Sequence, residues 1–269
     1  MATFVLFHAH PDDEAIASGG TMIRAAADGH RVVLVVATRG ERGEPQEGVL
    51  AEGEQLWERR IAETMRAAEL LGVARVEFLG YVDSGMVGEP TNEFPYSFAS
   101  ADVEQAAVRL AAILAEESAD VLTVYDDHGG YGHPDHVQVH LVGHRAAQLA
   151  GVPKVFEVTM NRDAIRRQLE AALSGSDVPD NAEDMPSVAE TESFGSPESL
   201  ITHAVDVREV IATKRAAMQA HESQIGPDSW FLQMDDDMFA GAFGTEWYIE
   251  HGAPRSDGEP FRGSLFGDS

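Results

Sequence analysis

The sequence contains no cysteine at any of its 269 positions. That absence removes disulfide frameworks, thiolate metal sites and cysteine nucleophiles together, so any bound metal must be held by imidazoles and carboxylates. Basic residues are scarce: 19 Lys and Arg stand against 46 Asp and Glu, giving a formal net charge of -27. A field of that sign repels phosphate backbones and anionic lipid, which excludes nucleic acid and membrane surfaces as partners. No apolar run is long enough to span a bilayer, and the first residues lack the basic start and small-residue cleavage site of a secretory signal, so the expected location is cytoplasmic. Internal repeats are also missing. The length suits one large α/β domain or a domain with an appended lobe.

What is present begins with an apolar run of strand length at residues 3–7, followed by H-A-H-P-D-D-E at 8–14 and a helical pattern from residue 15. Two imidazoles and three carboxylates crowded into one turn repel one another or pay for desolvation unless water, pairing or a cation relieves them. His10 and Asp13, three residues apart across the turn, can reach one ion and leave Asp12 free to handle a proton. The competing reading is that Asp12 or Asp13 only caps the helix while the histidines pack.

Further strands are expected at residues 31–38, 76–79, 119–125, 154–158 and 201–205, alternating with helices at 21–29, 49–72, 103–118, 161–173 and 207–221. Residues 80–100 read as a long functional loop. The strand at 119–125 ends in D-D-H-G-G-Y-G-H-P-D-H at 126–136. Pro134 suits the first position of a helix, which places His133 at the cap and His136 and His140 one turn apart on one face. Residues 174–199 turn acidic and small, and are expected to form a flexible insertion outside the core. The aromatic tail from residue 226, including Trp230, Phe239 and Tyr248, is expected to pack. The division this suggests is a catalytic core at 1–160 and a smaller C-terminal lobe at 161–269 that completes the domain.

Strand and helix alternation predicts a doubly wound, mostly parallel α/β sheet of Rossmann-like order 3-2-1-4-5. In that order strands one and four are neighbours at the switch point. Topology therefore brings His10, Asp12 and Asp13 beside His133, Asp135 and His136. A dinucleotide-binding domain is the competitor at the level of the fold, but the first turn lacks GxGxxG and offers acids where a pyrophosphate needs amides.

The motifs A-H-P-D-D-E at 9–14 and H-P-D-H-x-x-x-H at 133–140 resemble the PIG-L/LmbE family of zinc-dependent N-deacetylases, which act on N-acetylglucosamine conjugates. G-G-Y-G before the second motif, D-S-G-M at 83–86, R-I-A-E at 60–63 and A-H-E-S-Q-I-G-P at 220–227 resemble its actinobacterial mycothiol branch. That branch holds the deacetylase of N-acetylglucosaminyl-inositol and the amidase that cleaves mycothiol S-conjugates. The resemblance implies zinc, with ferrous iron as the alternative ion, held by His10, Asp13 and His136. It further implies Asp12 as general base, His133 steadying the tetrahedral intermediate with Asp135 orienting it, and Tyr131 as a mobile residue over the substrate carbonyl. It places Arg60 and Asp83 in the cavity above the metal, contacting hydroxyls of a small amino-sugar substrate.

The chemistry stands apart from the name. Two imidazoles and one carboxylate leave open positions on a divalent ion, where water can ionise near neutral pH and attack a polarised carbonyl. The same ligand set serves non-haem iron oxygenases, and a non-catalytic metal-binding protein is the other alternative; the first is disfavoured by the α/β pattern and the second by Asp12 standing beside a full ligand set. His8 reads as a hydrogen-bonded core or supporting residue, His140 as a supporting residue, and Glu14 as a ligand brace or a helix-dipole partner.

Overall fold

The structure, a computed structural model, describes residues 1–174 and 190–267. Its strands are β1 (Thr3–His8), β2 (Arg31–Val36), β3 (Arg75–Phe78), β4 (Val121–Tyr125), β5 (Lys154–Thr159), β6 (His203–Asp206) and β7 (Thr245–Glu250). Its helices are α1 (Asp13–Ala17), α2 (Gly19–Ala27), α3 (Leu56–Leu71), α4 (Val103–Glu116), α5 (Gly129–Gly132), α6 (Pro134–Ala150), α7 (Arg162–Ser174), α8 (Ile211–Gln219), α9 (Trp230–Gln233) and α10 (Asp236–Phe243).

Alternation along β1 explains the layers. Phe4 and Leu6 bury against Met22, Leu34 and Tyr248 on one face, whereas Val5 and Phe7 bury against Val33, Leu110 and Val142 on the other. A strand covered on both faces needs an apolar side chain at every position, hence the unbroken run. The sheet order is β3-β2-β1-β4-β5-β7-β6, with β1 to β5 parallel and β7 antiparallel to both neighbours. The expected order 3-2-1-4-5 is present, and the last two strands of the chain extend the same sheet. Pairing of Phe4 with Val121 and Leu6 with Thr123 brings the carboxyl ends of β1 and β4 level, and His8 Nδ1 lies 2.9 Å from the Tyr125 hydroxyl.

The C-terminal residues are tied to the first helices by a buried ion pair. Glu246 accepts from the Gly20 and Thr21 amides at 2.8 Å each and from Lys214 Nζ at 2.7 Å. Charges so enclosed persist only when paired and hydrogen-bonded, as these are.

Several boundaries differ from expectation. The helix expected from residue 49 begins at Leu56, because Gly48 and Gly53 adopt φ of 77° and 81° and a capping box between Gln55 and Glu58 starts the helix later. Of the segment expected to stand outside the core, residues 175–189 lie outside the described residues. Residues 190–199 do pack: Gly195 N donates to Gly130 O at 2.7 Å, Ser196 N to Met160 O at 3.0 Å, and Thr191 and Ser196 are buried. Backbone hydrogen bonding, invisible to composition, holds them against the second motif. Among the tail aromatics Phe239 and Tyr248 are buried, but Trp230 is exposed.

Candidate active site

The two clusters meet at the carboxyl ends of β1 and β4. After β1, Asp12 adopts φ of 98°, a left-handed conformation that a residue with a side chain holds only when its surroundings impose it. Three buried groups impose it. Glu14 Oε2 accepts from the Asp12 amide at 3.0 Å, Glu14 Oε1 lies 2.7 Å from His221 Nε2, and Arg60 Nη2 donates to Pro11 O and, at 3.1 Å, to Asp12 Oδ2. His221 and Glu14 are wholly buried. Burial opposes a charge on His221, yet Glu14 raises its pKa above the usual imidazole range.

The Asp12 carboxyl is pushed up to about 6, chiefly by burial, with Arg60 opposing and Asp13 adding to the rise. Asp13 goes the other way: burial would raise it, but His136 and His10 hold it well below the usual carboxylate range. Adjacent carboxylates are thereby split, one kept ionised and the other poised near neutrality to exchange a proton.

After β4, three glycines with positive φ, Gly129, Gly130 and Gly132, carry the chain into α6. A Cβ on Gly129 would lie 2.6 Å from His136 Cβ, so only glycine admits this approach. Pro134 opens α6 and His133 caps it, its Nδ1 accepting from the Asp135 amide at 3.1 Å. The remaining proton of a neutral ring is then on Nε2. Burial and the neighbouring His10 and His136 lower His133 to about 4, so it is a neutral donor at pH 7.

His136 Nδ1 donates to Gly129 O at 3.2 Å, and its ring stacks on Tyr125 at 4.2 Å between centroids. Its Nε2 is buried without a hydrogen-bond partner and faces Asp13 Oδ2 at 3.4 Å. His10 Nδ1 lies 3.3 Å from the same oxygen. His10 Nε2 lies 3.1 Å from Asp135 Oδ2 and 3.5 Å from Asp83 Oδ1. Burial disfavours charge on His10, but these three carboxylates raise its pKa well above the usual value, which makes this a place where positive charge is stabilised.

Two expected roles change. Asp135 does not turn its carboxylate to His133: Oδ2 braces His10 and accepts from Ser84 N at 2.9 Å, while Oδ1 accepts from Ser84 Oγ, and only the backbone amide orients His133. Arg60 is not above the site, because it lies on the buried face of α3 with Nη1 donating to Gly40 O at 2.9 Å and Nη2 spent on the Asp12 turn. It offers no open fork to a sugar. Asp83 does face the site beside His10, but its oxygens also accept from the Gly85 and Arg42 amides, which with His10 overcome burial and depress its pKa strongly. Tyr131 stands at the rim, 44% exposed, with its ring 5.0 Å from that of His136. Burial first and Asp13 second push its phenol up, so it remains a donor.

His221, Ser84 and Tyr125 are the supporting residues that sequence reasoning did not single out. A-H-E-S-Q-I-G-P was the available signal for His221 and D-S-G-M for Ser84; nothing local marked Tyr125.

An α/β sheet that gathers imidazoles and carboxylates at its switch point carries the kind of donor set that metal-dependent hydrolases use. Residues 5–147 match the PIG-L family, described as GlcNAc-PI de-N-acetylase, and the chain belongs to that family of deacetylases. It is 40% identical over 93% of its length to the 1D-myo-inositol 2-acetamido-2-deoxy-alpha-D-glucopyranoside deacetylase of Acidothermus cellulolyticus, covering 88% of that protein. The deacetylase of the same name from Geodermatophilus obscurus is 37% identical, over 97% of this chain and 96% of the relative. The N,N'-diacetylchitobiose deacetylase of Pyrococcus horikoshii superposes with a TM-score of 0.58 at 22% identity, over 93% of this chain and 83% of that one, a likeness of fold. Among the described residues no helix is long and apolar enough to cross a membrane.

Proposed function

We propose that the protein is a zinc-dependent deacetylase that hydrolyses the acetamide of N-acetylglucosaminyl-inositol, releasing acetate and a free amine. The observation that carries this reading is that Asp13 Oδ2 stands within 3.4 Å of both His10 Nδ1 and His136 Nε2, with a second carboxylate, Asp12, preceding it in the same turn. The two separations from Asp13 Oδ2, 3.3 and 3.4 Å, are close to the edge of about 3.3 Å expected between ligands 2.0–2.1 Å from a tetrahedral zinc. The orphaned Nε2 of His136 and the cluster of carboxylates around His10 fit the same ion. His10, His133 and His136 also offer atoms within 4.8 Å of one another. Asp13 is the better third ligand, because the His133 tautomer fixed by the Asp135 amide puts a proton on Nε2. Asp135 then completes a carboxylate–histidine–metal arrangement through His10. Ferrous iron suits the same donors, so metal analysis belongs with the assay.

When bound, such an ion polarises the acetamide carbonyl and brings a water's pKa toward neutrality. Asp12 takes the proton of the attacking water and returns it to the departing amine. His133 gives its Nε2–H to the carbonyl oxygen as negative charge develops there, and Tyr131 supplies a second neutral donor from the rim. Asp83, beside His10 at the site, accepts from a substrate hydroxyl. The two relatives named above, each matched over nearly its whole length, supply the substrate class.

Specificity constants for three compounds test it. N-Acetylglucosaminyl-inositol is expected to exceed both free N-acetylglucosamine and a thiol-conjugated cysteinyl-glucosamine. Faster cleavage of the thiol conjugate would make the protein an amidase of mycothiol S-conjugates instead.

A further inference from the structure

Beyond the turn site, α6 carries a second set of imidazoles. His140 and His144 follow His136 at intervals of four and turn toward β5, where Glu157 projects between them. His144 Nε2 lies 2.8 Å from Glu157 Oε1, and His140 Nδ1 lies 3.9 Å from the same oxygen. The rings of His140 and His144 are 4.5 Å apart, and His251, beyond the end of β7, brings its ring to 4.6 Å from His144. His140, His144 and Glu157 each offer a ligand atom within 4.8 Å of the others.

An ordinary helix-to-strand hydrogen bond needs one imidazole and one carboxylate. Here a single half-buried carboxylate has two imidazoles within 4 Å, and a third packs on one of them, in a chain whose net charge of -27 draws cations to its surface. His140 Nδ1 donates to the Tyr125 carbonyl at 3.0 Å, a contact that fixes the ring as an outer hydrogen bond fixes a metal-binding histidine. Zinc–ligand bonds of 2.0–2.2 Å separate donors by about 3.3–3.5 Å. His144 and Glu157 therefore reach such a geometry by parting about half an ångström, with loss of the proton between them.

We propose that His140, His144 and Glu157, with His251 packed against His144, form a second binding site for a divalent transition metal, zinc being the ion its imidazole and carboxylate donors suit. The site stands apart from the turn site, and its occupancy clamps α6 to β5 behind the helix end that carries His136.

The test is zinc stoichiometry of the full chain, stripped with chelator and then dialysed against buffered free zinc. Wild type is expected to hold two ions. Glu157→Gln, which keeps side-chain volume and a hydrogen bond to His144, and His144→Ala are each expected to hold one, with deacetylation at one equivalent of zinc unchanged. His136→Ala is also expected to hold one, at the second site, so failure of the turn-site assignment is read separately. Cobalt substitution supplies an independent readout: the visible band of the second equivalent disappears in Glu157→Gln. One zinc in wild type, two in both Glu157→Gln and His144→Ala, or none in His136→Ala would overturn the proposal.

Discussion

Asp12, after β1, is held at φ of 98° by Glu14, Arg60 and, through Glu14, His221, all buried. Tyr131, after β4, stands 44% exposed among three glycines of positive φ. The first turn is over-determined: a carboxylate meant to accept a proton is fixed by side chains from α3 and the turn after α8. In the second, Gly130 is tied to Asp126 Oδ1 and to the Gly195 amide and His133 and His136 are held at the start of α6, while the Tyr131 side chain stands out at the rim. A hydrolase needs both kinds of construction, since a base must hold its distance to the attacked carbon while a substrate must pass the rim.

The largest effect removes the element that both turns share. His136→Ala should lose the ion at the turn site and essentially all deacetylation, measured by metal content and amine release; retained turnover would separate the second turn from the chemistry. Asp12→Ala should keep the ion yet lose about 100- to 10,000-fold in kcat, the range for a positioned acid–base group. Near-native rates there would contradict the assignment of the base.

Arg60→Ala sharpens the contrast, because it loosens only the braced turn. A fall in kcat on the order of 10- to 100-fold, with KM little altered, is the expected outcome, reflecting a charged hydrogen bond of about 1.5–3 kcal/mol. Its pH profile carries the sign. Asp12 works as the ionised form, so activity is lost as pH falls through its pKa. With about 6 as the value without an ion, a dication on Asp13 lowers the acid limb below 6, and loss of Arg60, which also lowers Asp12, moves that limb upward. An unmoved limb would show that Arg60 does not act on Asp12. The smallest effect belongs to the rim: Tyr131→Phe should cost about tenfold or less in kcat with metal content intact. A loss as deep as that of Asp12→Ala would mean the rim is as fixed as the floor.

The same contrast governs what the sequence disclosed. Periodicity and the unbroken apolar run of β1 implied the parallel sheet and its order, and order alone brought residues 10–13 beside residues 133–136. Composition could not reveal that residues 190–199 hydrogen-bond to Gly130 and Met160, because those bonds are made by backbone. The brace under Asp12 was hidden for a related reason. His221 reaches Glu14 across 207 positions and Arg60 reaches Asp12 across 48, so no local spacing joins them. By resemblance, R-I-A-E suggested a sugar contact; burial of α3 along Arg60, Glu63 and Thr64 gives it a different task.

Anomalous diffraction at the zinc edge, from crystals loaded with one equivalent of zinc, tests the central assignment most directly. The account expects a peak bonded to His10 Nδ1, Asp13 Oδ2 and His136 Nε2, with the Asp12 carboxylate nearby and unligated. A peak bonded to His133 in place of Asp13, or to Asp83 and Asp135 across His10, would contradict it.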